Sequence, residues 1–473
     1  MKLIGRNPEI SILTDLRKST RPELIAVYGR RRVGKTFLVR NVCRNQICFE
    51  FSGMHNSSLK QQLHNFFLTL SAKKKGFSEP QSWLDAFHIL GQYLDSLISD
   101  GKKVVFIDEF PWLDSRKSNF LPAFENFWNN YASKRDDLAV IICGSAASYM
   151  IKHVIKSKGG LHNRLTGKIQ LKPFCLNETE QLLKSNGVRL TRYDMLQLYM
   201  VMGGIPNYLE KVLPGESVAQ AVDRLCFAKN GFLRDEFKNI FASLFDQYEN
   251  HETVIRKLSS VRKGLTRTEI LAGTNLNSGG TLTKTLAELE ESGFIERYLP
   301  FGQKSKDSLY RLTDEYSMFY LKYIEHTRPS ESGVWNKLFS QPSYKIWSGF
   351  SFETICIKHI DQIKEGLKIA GIQSSQGSWK GMNMEYAAQI DLLIDRADNV
   401  INLCEIKFHQ SEFTIDKAYA DEIKRKTETF KDGTKTRKSL FVTFITTYGL
   451  IANEYSRQLV QNELMMDHLF AEL

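Results

Sequence analysis

The sequence predicts an α/β protein whose N-terminal part is a parallel sheet covered by helices. Three short apolar runs there have the composition of buried strands: LIAVYG from residue 24, KVVFIDEF from residue 103 and LAVIICGS from residue 138. Long stretches of helical periodicity separate these runs, and strands that alternate with helices usually pair in parallel. Two further apolar runs near the C-terminus, QIDLLID and VINLCEIKF, predict a second α/β domain built around a hairpin.

Length and charge set the first limits on function. A chain of 473 residues is expected to hold about three domains. Hydrophobic residues make up 42% of the chain and charged residues 25%, as in ordinary globular proteins with real cores. The net charge of +11 favours a polyanionic partner such as DNA, although many basic proteins bind no nucleic acid.

Cysteine use and the N-terminal residues predict a cytoplasmic protein. The 7 cysteines form no C-x-x-C pair, and several lie in apolar runs, as expected of buried free thiols in a reducing compartment. The first ten residues, MKLIGRNPEI, contain no apolar signal core. No apolar run is long enough to cross a bilayer, so we expect no membrane-spanning segment.

Changes in pattern along the chain predict four parts. Residues 1–173 hold the three apolar strands, and residues 174–250 are helical throughout, including the phrase YMVMGGIPNYLEKV. Residues 251–312 give three short helices and the strands FIERYL and SLYRLT around the basic loop PFGQKSKD. Residues 313–473 contain a helix around FETICIKHI, the hairpin and a late strand, SLFVTFIT.

The segment GRRRVGKT, residues 29–36, fits the phosphate-loop pattern G-x-x-x-x-G-K-[ST] at every fixed position. It follows the strand LIAVY and opens the helical stretch TFLVRNV, which is the context that the pattern requires. Gly29 and Gly34 let backbone N–H groups close around phosphates at a helix N-terminus. Lys35 would reach the β- and γ-phosphates of ATP and Thr36 would bind Mg²⁺.

Polar residues at the ends of two strands predict the remaining parts of a hydrolytic site. Asp108 and Glu109 end the strand KVVFI, so Asp108 should hold Mg²⁺ and Glu109 should polarise the attacking water. Ser145 ends LAVIICG, where its hydroxyl is placed to sense the γ-phosphate. A solvated acidic pair and a plain strand-end serine are the alternative interpretations.

In their order, GRNPEISIL, GRRRVGKT, FIDEF, IICGS, NRLTGKIQLKPF and GGIPNYL resemble the archaeal-type ATPase family, which is related to the AAA+ and STAND ATPases. The resemblance covers most of the chain and implies an α/β ATPase core, a helical lid at 174–250 and a winged helix at 251–312. It also implies that Gly5 and Arg6 lie near the adenine. Arg164 matches a position where an arginine touches the γ-phosphate, in cis or in trans; a solvated arginine before a strand is the alternative.

The predicted winged helix has two candidate contacts for DNA. The exposed start of the helix TLTKTLAELEESG carries Thr281, Thr283 and Lys284. The loop before the last strand carries Gln303, Lys304 and Lys306. Such a unit can lay its helix in a major groove while wing lysines hold phosphates. The acidic end of the same helix is equally compatible with a protein–protein module.

The C-terminal hairpin predicts that two carboxylates face each other. If the loop is residues 397–399, Arg396 faces Val400, and counting back places Asp391 opposite Glu405. A shift of one residue would separate the two acids. Two opposed carboxylates are reasonable if a divalent cation lies between them.

Two more residues complete the predicted C-terminal site. Lys407 shares the face of Glu405 and could orient a water or stabilise a transition state, and Glu353 could complete the metal shell. This arrangement resembles the PD-(D/E)xK nuclease superfamily, whose domain many archaeal-type ATPases carry, although Ile390 stands where the proline would be. Asp395 is a fallback ligand, and Lys417 or Lys424 could hold DNA. A strand-surface ion pair without a metal is the alternative.

Together these features predict an ATP-hydrolysing protein that binds DNA and cleaves it at the C-terminal site with Mg²⁺, or with Mn²⁺ in its place. The alternative is a nucleotide-dependent switch, similar to the STAND ATPases, whose winged-helix and nuclease-like domains only bind. A transcription regulator is a weaker third hypothesis. ATP and DNA are the expected partners, no membrane is expected, and a homo-oligomer is compatible with the sequence.

Overall fold

A computed structural model describes residues 3–98, 101–156, 159–161, 163–245, 247–276, 280–329, 333–382 and 387–473. The chain divides into two compact units, Met1–Lys172 and Pro173–Leu473. Within the described ranges, no helix is long and apolar enough to cross a membrane.

The first unit is built on a five-stranded parallel sheet in the order β2-β3-β4-β1-β5. The strands are β1 (Glu23–Tyr28), β2 (Ile47–Ser52), β3 (Lys103–Asp108), β4 (Leu138–Gly144) and β5 (Gly167–Gln170). The three strands predicted from apolar runs are β1, β3 and β4, which lie side by side at the centre of the sheet. Their carboxyl ends therefore meet at one edge.

The sheet of the first unit is covered by helices with an aromatic core. The helices are α1 (Asn7–Asp15), α2 (Lys35–Val42), α3 (Leu59–Ser71), α4 (Trp83–Asp95), α5 (Phe120–Asn130) and the short α6 (Ala147–Tyr149). Trp83, Phe87, Phe120 and Phe124 are buried among them, with Trp83 and Phe120 ring centroids 4.9 Å apart at a near-perpendicular angle. This edge-to-face packing fixes α4 and α5 against the strands that carry the site.

The second unit begins with a set of helices: α7 (Leu176–Ser185), α8 (Arg192–Met202), α9 (Pro206–Leu209), α10 (Val218–Val222) and α11 (Glu236–Leu244). Later helices pack back onto them: α15 (Glu315–Phe319), α16 (Val334–Phe339), α17 (Pro342–Lys358) and α18 (Ile360–Gly366). For example, the ring of Phe237 on α11 stacks on the ring of Tyr320, the residue after α15, with centroids 4.5 Å apart. Residues 315–366 thus join the helical layer to the C-terminal sheet.

Residues 248–312 form a helix–sheet part inside the second unit. Its elements are α12 (Tyr248–Ser259), β6 (Leu265–Thr266), α13 (Arg267–Ala272), α14 (Gly280–Glu291), β7 (Ile295–Tyr298) and β8 (Leu309–Leu312). The strands form an antiparallel sheet in the order β6-β8-β7. Helix α14 ends before Gly293, whose φ of 75° is the left-handed conformation that glycine supplies after a helix. The predicted helices and the two predicted strands are all present.

The C-terminal sheet has five strands in the order β13-β12-β11-β10-β9. Its elements are β9 (Ser374–Met382), β10 (Ala387–Arg396), β11 (Val400–Lys407), α19 (Lys417–Thr434), β12 (Ser439–Thr446), α20 (Glu454–Leu459) and β13 (Asn462–Met465). Strands β11, β12 and β13 are parallel, and α19 makes the crossover between β11 and β12. The hairpin β10–β11 and the late strand β12 confirm the sequence prediction.

A buried histidine links the helical layer to the helix that precedes the C-terminal sheet. His359 accepts the backbone N–H of Leu176 at Nε2 (3.0 Å), while its Nδ1 lies 2.8 Å from the carbonyl oxygen of Ile355. Burial lowers the pKa of His359 from 6.5 to about 4. The imidazole ring is therefore neutral in the folded chain, whereas in the unfolded chain the same ring takes up a proton at a higher pH.

This histidine predicts a specific acid sensitivity. As pH falls from about 6.5 to about 4, His359 becomes protonated in the unfolded chain but stays neutral in the folded chain. The free energy of unfolding should therefore fall by up to roughly 3 kcal/mol over this range. His359→Gln, which keeps an acceptor but does not titrate, should lose less stability over this range in urea unfolding. The exposed His326 provides the control, since His326→Gln should follow the wild-type curve. Parallel curves for all three proteins would contradict this role.

Candidate functional site

The phosphate loop lies between the carboxyl end of β1 and the N-terminus of α2. Gly34 caps α2 with a φ of 92°, and Lys35 is the first residue of the helix. The ammonium of Lys35 donates hydrogen bonds to the carbonyl oxygens of Gly29 (2.9 Å) and Arg30 (3.0 Å) within the same loop. The loop is therefore closed around its own lysine, which is buried and pre-positioned.

Glycine is required at the first position of the loop. Gly29 has a φ of 147°, and a Cβ atom there would overlap the carbonyl oxygen of Leu171. The backbone of Leu171 donates its N–H to Tyr28 (2.7 Å), which extends the pairing of β5 beside the loop. The phosphate loop therefore lies in close contact with the residue that follows β5, and only glycine fits at position 29.

A hydroxyl and a carboxylate meet beside the loop. The hydroxyl of Thr36 donates to Oδ2 of Asp108 (2.8 Å), and Asp108, the last residue of β3, is almost fully buried. Hydroxyl and carboxylate oxygens are the hard donors that Mg²⁺ prefers. The donor set therefore fits a magnesium ion held by these two residues.

Glu109 and Ser145 meet at the ends of neighbouring strands β3 and β4. Glu109 adopts a left-handed conformation with a φ of 46°, uncommon for a residue other than glycine. Its Oε2 accepts hydrogen bonds from the hydroxyl of Ser145 (2.8 Å) and from the Ser145 N–H (3.4 Å). The structure thus brings together the candidate base and the candidate sensor, and Ser145 orients the carboxylate.

The residues implied by family resemblance lie in different surroundings. Gly5 and Arg6 both have positive φ, and the Arg6 guanidinium donates to the carbonyl oxygen of Lys172 (2.6 Å) from a buried position. Arg6 therefore ties the entry segment to the end of the first unit. Arg164 is exposed in the turn before β5, with its N–H donating to Leu161 (3.1 Å). Their roles toward the nucleotide stay predictions.

The C-terminal hairpin has the predicted register. The loop is residues 397–399, and the pairs run from Asp395 with Ile401 to Leu392 with Cys404. Extending this register by one residue would set Asp391 opposite Glu405. A β-bulge falls at the same place, because Asp391 and Leu392 lie opposite the single residue Ser378 of β9. A bulge interrupts the regular ladder and bends the strand, and this one falls at Asp391.

Glu405 is already engaged by helix α19. Its Oε2 accepts a hydrogen bond from the hydroxyl of Tyr419 (2.9 Å), and its Oε1 pairs with the ammonium of Lys426. Lys407 is farther away, with Nζ 3.9 Å from Oε2 of Glu405 and 4.9 Å from the ring centroid of Tyr419. Burial lowers the pKa of Lys426, but Glu405, together with Glu422 and Asp391, outweighs this effect and raises that pKa overall.

Glu353 approaches the same acids from α17. Burial raises its pKa to about 8, with Asp391 and Glu405 adding to the shift and Lys407 opposing it. We call Glu353, Asp391, Glu405, Lys407 and Lys426 the hairpin cluster. Its crowded carboxylates are the donor type that Mg²⁺ prefers, but a divalent cation fits Glu405 only if Lys426 releases it. Over the described ranges, no group of three or more His, Cys, Asp or Glu side chains is arranged to hold a metal.

The fallback residues lie outside the hairpin cluster. Asp395 pairs with Lys438 (2.6 Å), and Lys417 and Lys424 are exposed on α19. The role of Lys417 and Lys424 toward DNA stays a prediction, and sequence reasoning missed Tyr419 and Lys426 as partners of Glu405. A signal existed: Tyr419, Ile423, Lys426 and Phe430 follow the helical spacing of one stripe, and a lysine among apolar residues on a buried stripe indicates a buried partner.

The phosphate loop at the head of a parallel sheet and the carboxylate at the adjoining strand end define a P-loop ATPase domain. Residues 3–212 match the family described as an ATPase domain predominantly from Archaea. The match includes α7, α8 and α9 of the second unit. It supports ATP binding and hydrolysis as the activity of this domain.

Three of the proteins similar to this chain come from archaea. An uncharacterized protein of Methanocaldococcus jannaschii is 25% identical over 426 residues, which are 88% of this chain and 90% of its own. Among solved structures, the Walker-type ATPase PABY2304 of Pyrococcus abyssi is 16% identical with a TM-score of 0.48, covering 68% of this chain and 96% of that one. The ORC2 protein of Aeropyrum pernix is 13% identical with a TM-score of 0.43, covering 72% and 96%.

Proposed function

We propose that the chain binds ATP at the phosphate loop and hydrolyses it through Glu109. The observation that carries this proposal is the pair of contacts at adjoining strand ends, Thr36 with Asp108 and Ser145 with Glu109. Lys35 binds the β- and γ-phosphates once it exchanges its loop carbonyls for phosphate oxygens. Magnesium, when bound by Thr36 and Asp108, neutralises phosphate charge.

Glu109 is the group that takes up a proton in this proposal. Its carboxylate would accept a proton from the attacking water, and Ser145 fixes the orientation of that carboxylate. Backbone strain at Glu109 holds the side chain at the head of the sheet. The test is phosphate release from ATP by the full chain, which should require Mg²⁺ and stop when EDTA removes it. ATP bound without turnover would reduce the domain to a nucleotide sensor.

We propose further that the second unit binds DNA. Three helices and the antiparallel sheet β6-β8-β7, in this chain order, support a winged helix at residues 248–312. The exposed lysines Lys304 and Lys306 lie in the loop between β7 and β8, and Lys284 lies on the exposed face of α14. The C-terminal sheet with its hairpin cluster supports a PD-(D/E)xK-like domain at the end of the chain.

We propose that this domain cleaves the bound DNA with Mg²⁺ or Mn²⁺. Asp391 and Glu405 would hold the ion, which would polarise the phosphodiester, after Lys426 leaves Glu405. Lys407, 3.9 Å from Glu405, would stabilise developing charge on the phosphate. The hairpin register is the observation in favour, because one further step beyond its last pair, Leu392 with Cys404, would set Asp391 opposite Glu405.

A second candidate function is a nucleotide-dependent switch that binds DNA without cutting it. One observation favours it: both oxygens of Glu405 have protein partners, Tyr419 and Lys426, so the acid is neutralised without a metal. In that case the hairpin cluster would be a fixed ion-pair network.

Replacing Lys407 separates these two functions. In our proposal, Lys407→Ala should abolish metal-dependent cleavage while ATP hydrolysis stays at the wild-type rate, because Lys407 lies in the other unit from the phosphate loop. The assay is incubation with single-stranded, double-stranded and branched DNA plus Mg²⁺ or Mn²⁺, with and without ATP. Lys431→Ala, at an exposed position near the end of α19, is the matched control and should cut normally. If the wild-type chain cuts no DNA or RNA form, the switch replaces the nuclease.

A further inference from the structure

The helix–sheet part is fixed to the C-terminal sheet at the β-bulge. The backbone N–H of Phe301 donates to the carbonyl oxygen of Ser378 (2.7 Å), the residue opposite the bulge. The Phe301 ring lies 5.6 Å from the ring of Phe430 and packs on the core that contains Trp379. Phe301, at the start of the β7–β8 loop, therefore anchors the helix–sheet part on the C-terminal sheet. This contact fixes the position of the helix–sheet part relative to the hairpin cluster.

The anchor brings the loop between α12 and β6 to the hairpin cluster. The Tyr298 hydroxyl donates to the carbonyl oxygen of Lys263, which ties this loop to the end of β7. The pKa of Lys263 is lowered by partial burial and by the like charge of Lys380, while Asp391 raises it. The guanidinium of Arg262 lies 3.6 Å from the ring centroid of Phe350, one turn before Glu353 on α17. Lys263 thus interacts electrostatically with Asp391, and Arg262 with Glu353, between the two parts of the unit.

The charges at this junction leave positive charge unmatched. Lys426 already neutralises Glu405, and Lys407 lies beside the same carboxylate. The junction thus holds four cations, Arg262, Lys263, Lys407 and Lys426, beside three carboxylates, Glu353, Asp391 and Glu405. Asp391 also accepts a hydrogen bond from the side-chain amide of Gln389. A site with surplus cations beside opposed carboxylates attracts an anion more readily than another cation.

We propose that Arg262 and Lys263 complete the hairpin cluster as a composite site for the phosphate backbone of a nucleic acid strand. This inference rests on the proposed DNA binding of the second unit and assigns its strand-holding residues. Arg262 supplies a planar fork of donors whose direction is fixed by stacking on Phe350, and such a fork matches two phosphate oxygens. Lys263 supplies a compact charge beside Asp391. The sugar–phosphate backbone of the bound strand would run from Arg262 and Lys263 in the helix–sheet part to Lys407 in the hairpin cluster.

The experiment uses the full chain and a fluorescein-labelled 20-nucleotide DNA, single-stranded and duplex, in EDTA so that no cleavage or metal bridging contributes. Anisotropy gives the dissociation constant across a salt series. Arg262→Ala with Lys263→Ala removes two charges from the proposed site. Lys337→Ala with Lys345→Ala removes two charges from exposed positions; Lys345 lies eight residues before Glu353 on α17, about 12 Å along the helix.

The double variant at the junction should bind DNA at least tenfold more weakly than the wild-type chain. Its slope of log affinity against log salt should be shallower by about 1.5, because two phosphate contacts are lost. The control pair should stay within about twofold. ATP hydrolysis and the melting temperature of each protein establish that both variants are folded.

Different results overturn different statements. If the junction variant and the control variant weaken DNA binding equally, only the overall charge matters. The composite site would then be wrong, although the proposed DNA binding would stand. A wild-type chain that binds no DNA at low salt, with or without ATP, would overturn the proposed DNA function and this inference together. Competition by polyglutamate as effective as that by DNA would assign the junction to an acidic protein. Loss of binding in the junction variant without cleavage by the wild-type chain would leave the inference standing and remove only the nuclease.

Discussion

Replacing Glu109 with glutamine should slow ATP hydrolysis by about three orders of magnitude while leaving ATP binding nearly unchanged. Glutamine preserves the size of the side chain and can still accept the hydrogen bond from the Ser145 hydroxyl (2.8 Å), so the local geometry should survive. It cannot take up a proton from the attacking water. The variant should therefore accumulate as an ATP-bound form.

Two measurements check this expectation. Calorimetry gives the affinity for ATP, and release of inorganic phosphate under single-turnover conditions gives the chemical step. Glu79→Gln is the control, because Glu79 is an exposed carboxylate of the same unit and pairs with His64 (2.9 Å). If Glu109→Gln loses binding and hydrolysis to the same extent, the residue holds nucleotide or metal and is not the proton acceptor.

Lys35→Ala should weaken ATP binding by at least 100-fold, which corresponds to about 2.7 kcal/mol. The ammonium is buried in the loop and held by the carbonyl oxygens of Gly29 and Arg30, so its charge is aimed before any phosphate arrives. A pre-positioned charge in a poorly solvated site contributes far more than one that must be ordered on binding. Alanine leaves the phosphate oxygens without this partner.

Calorimetry with ATP and Mg²⁺ measures the effect. Lys60→Ala, at an exposed position in the first turn of α3, removes the same charge from the same unit and should bind ATP normally. Because Lys35 also closes its own loop, thermal unfolding of both variants is needed to separate lost binding from lost structure. Wild-type affinity in folded Lys35→Ala would place the nucleotide elsewhere.

The parts of the site that depend on local chain geometry were predictable from sequence. Side chains alternate along a strand, so a three-residue loop at 397–399 was enough to give the hairpin register, which is paired from Asp395 with Ile401 to Leu392 with Cys404. The phosphate loop was predictable because a loop of this kind binds phosphate through backbone N–H groups, which needs a fixed pattern of glycines. Gly34, with its positive φ, is one of the positions where that pattern requires glycine.

The rest depends on contacts between distant segments. Strand β9, with the sequence SSQGSWKGM, has few β-branched or apolar residues and is a strand only because β10 pairs with it. The engagement of Glu405 by Lys426 requires the crossover helix to return over the sheet, and no local pattern gives the rotation of that helix. The contact between Ser145 and Glu109 arises because β4 lies between β1 and β3, an order that the sequence does not state.

The anchoring of Phe301 on the C-terminal sheet has a practical consequence for cutting the chain into pieces. A recombinant fragment that began near residue 313 would lack Phe301 and would leave Trp379 and Phe430 uncovered beside an open sheet edge at β9. Uncovered aromatic surface next to unpaired backbone groups promotes self-association in solution. Aggregation of such a piece would say little about the intact molecule. The smallest portion that keeps this surface covered starts before β7.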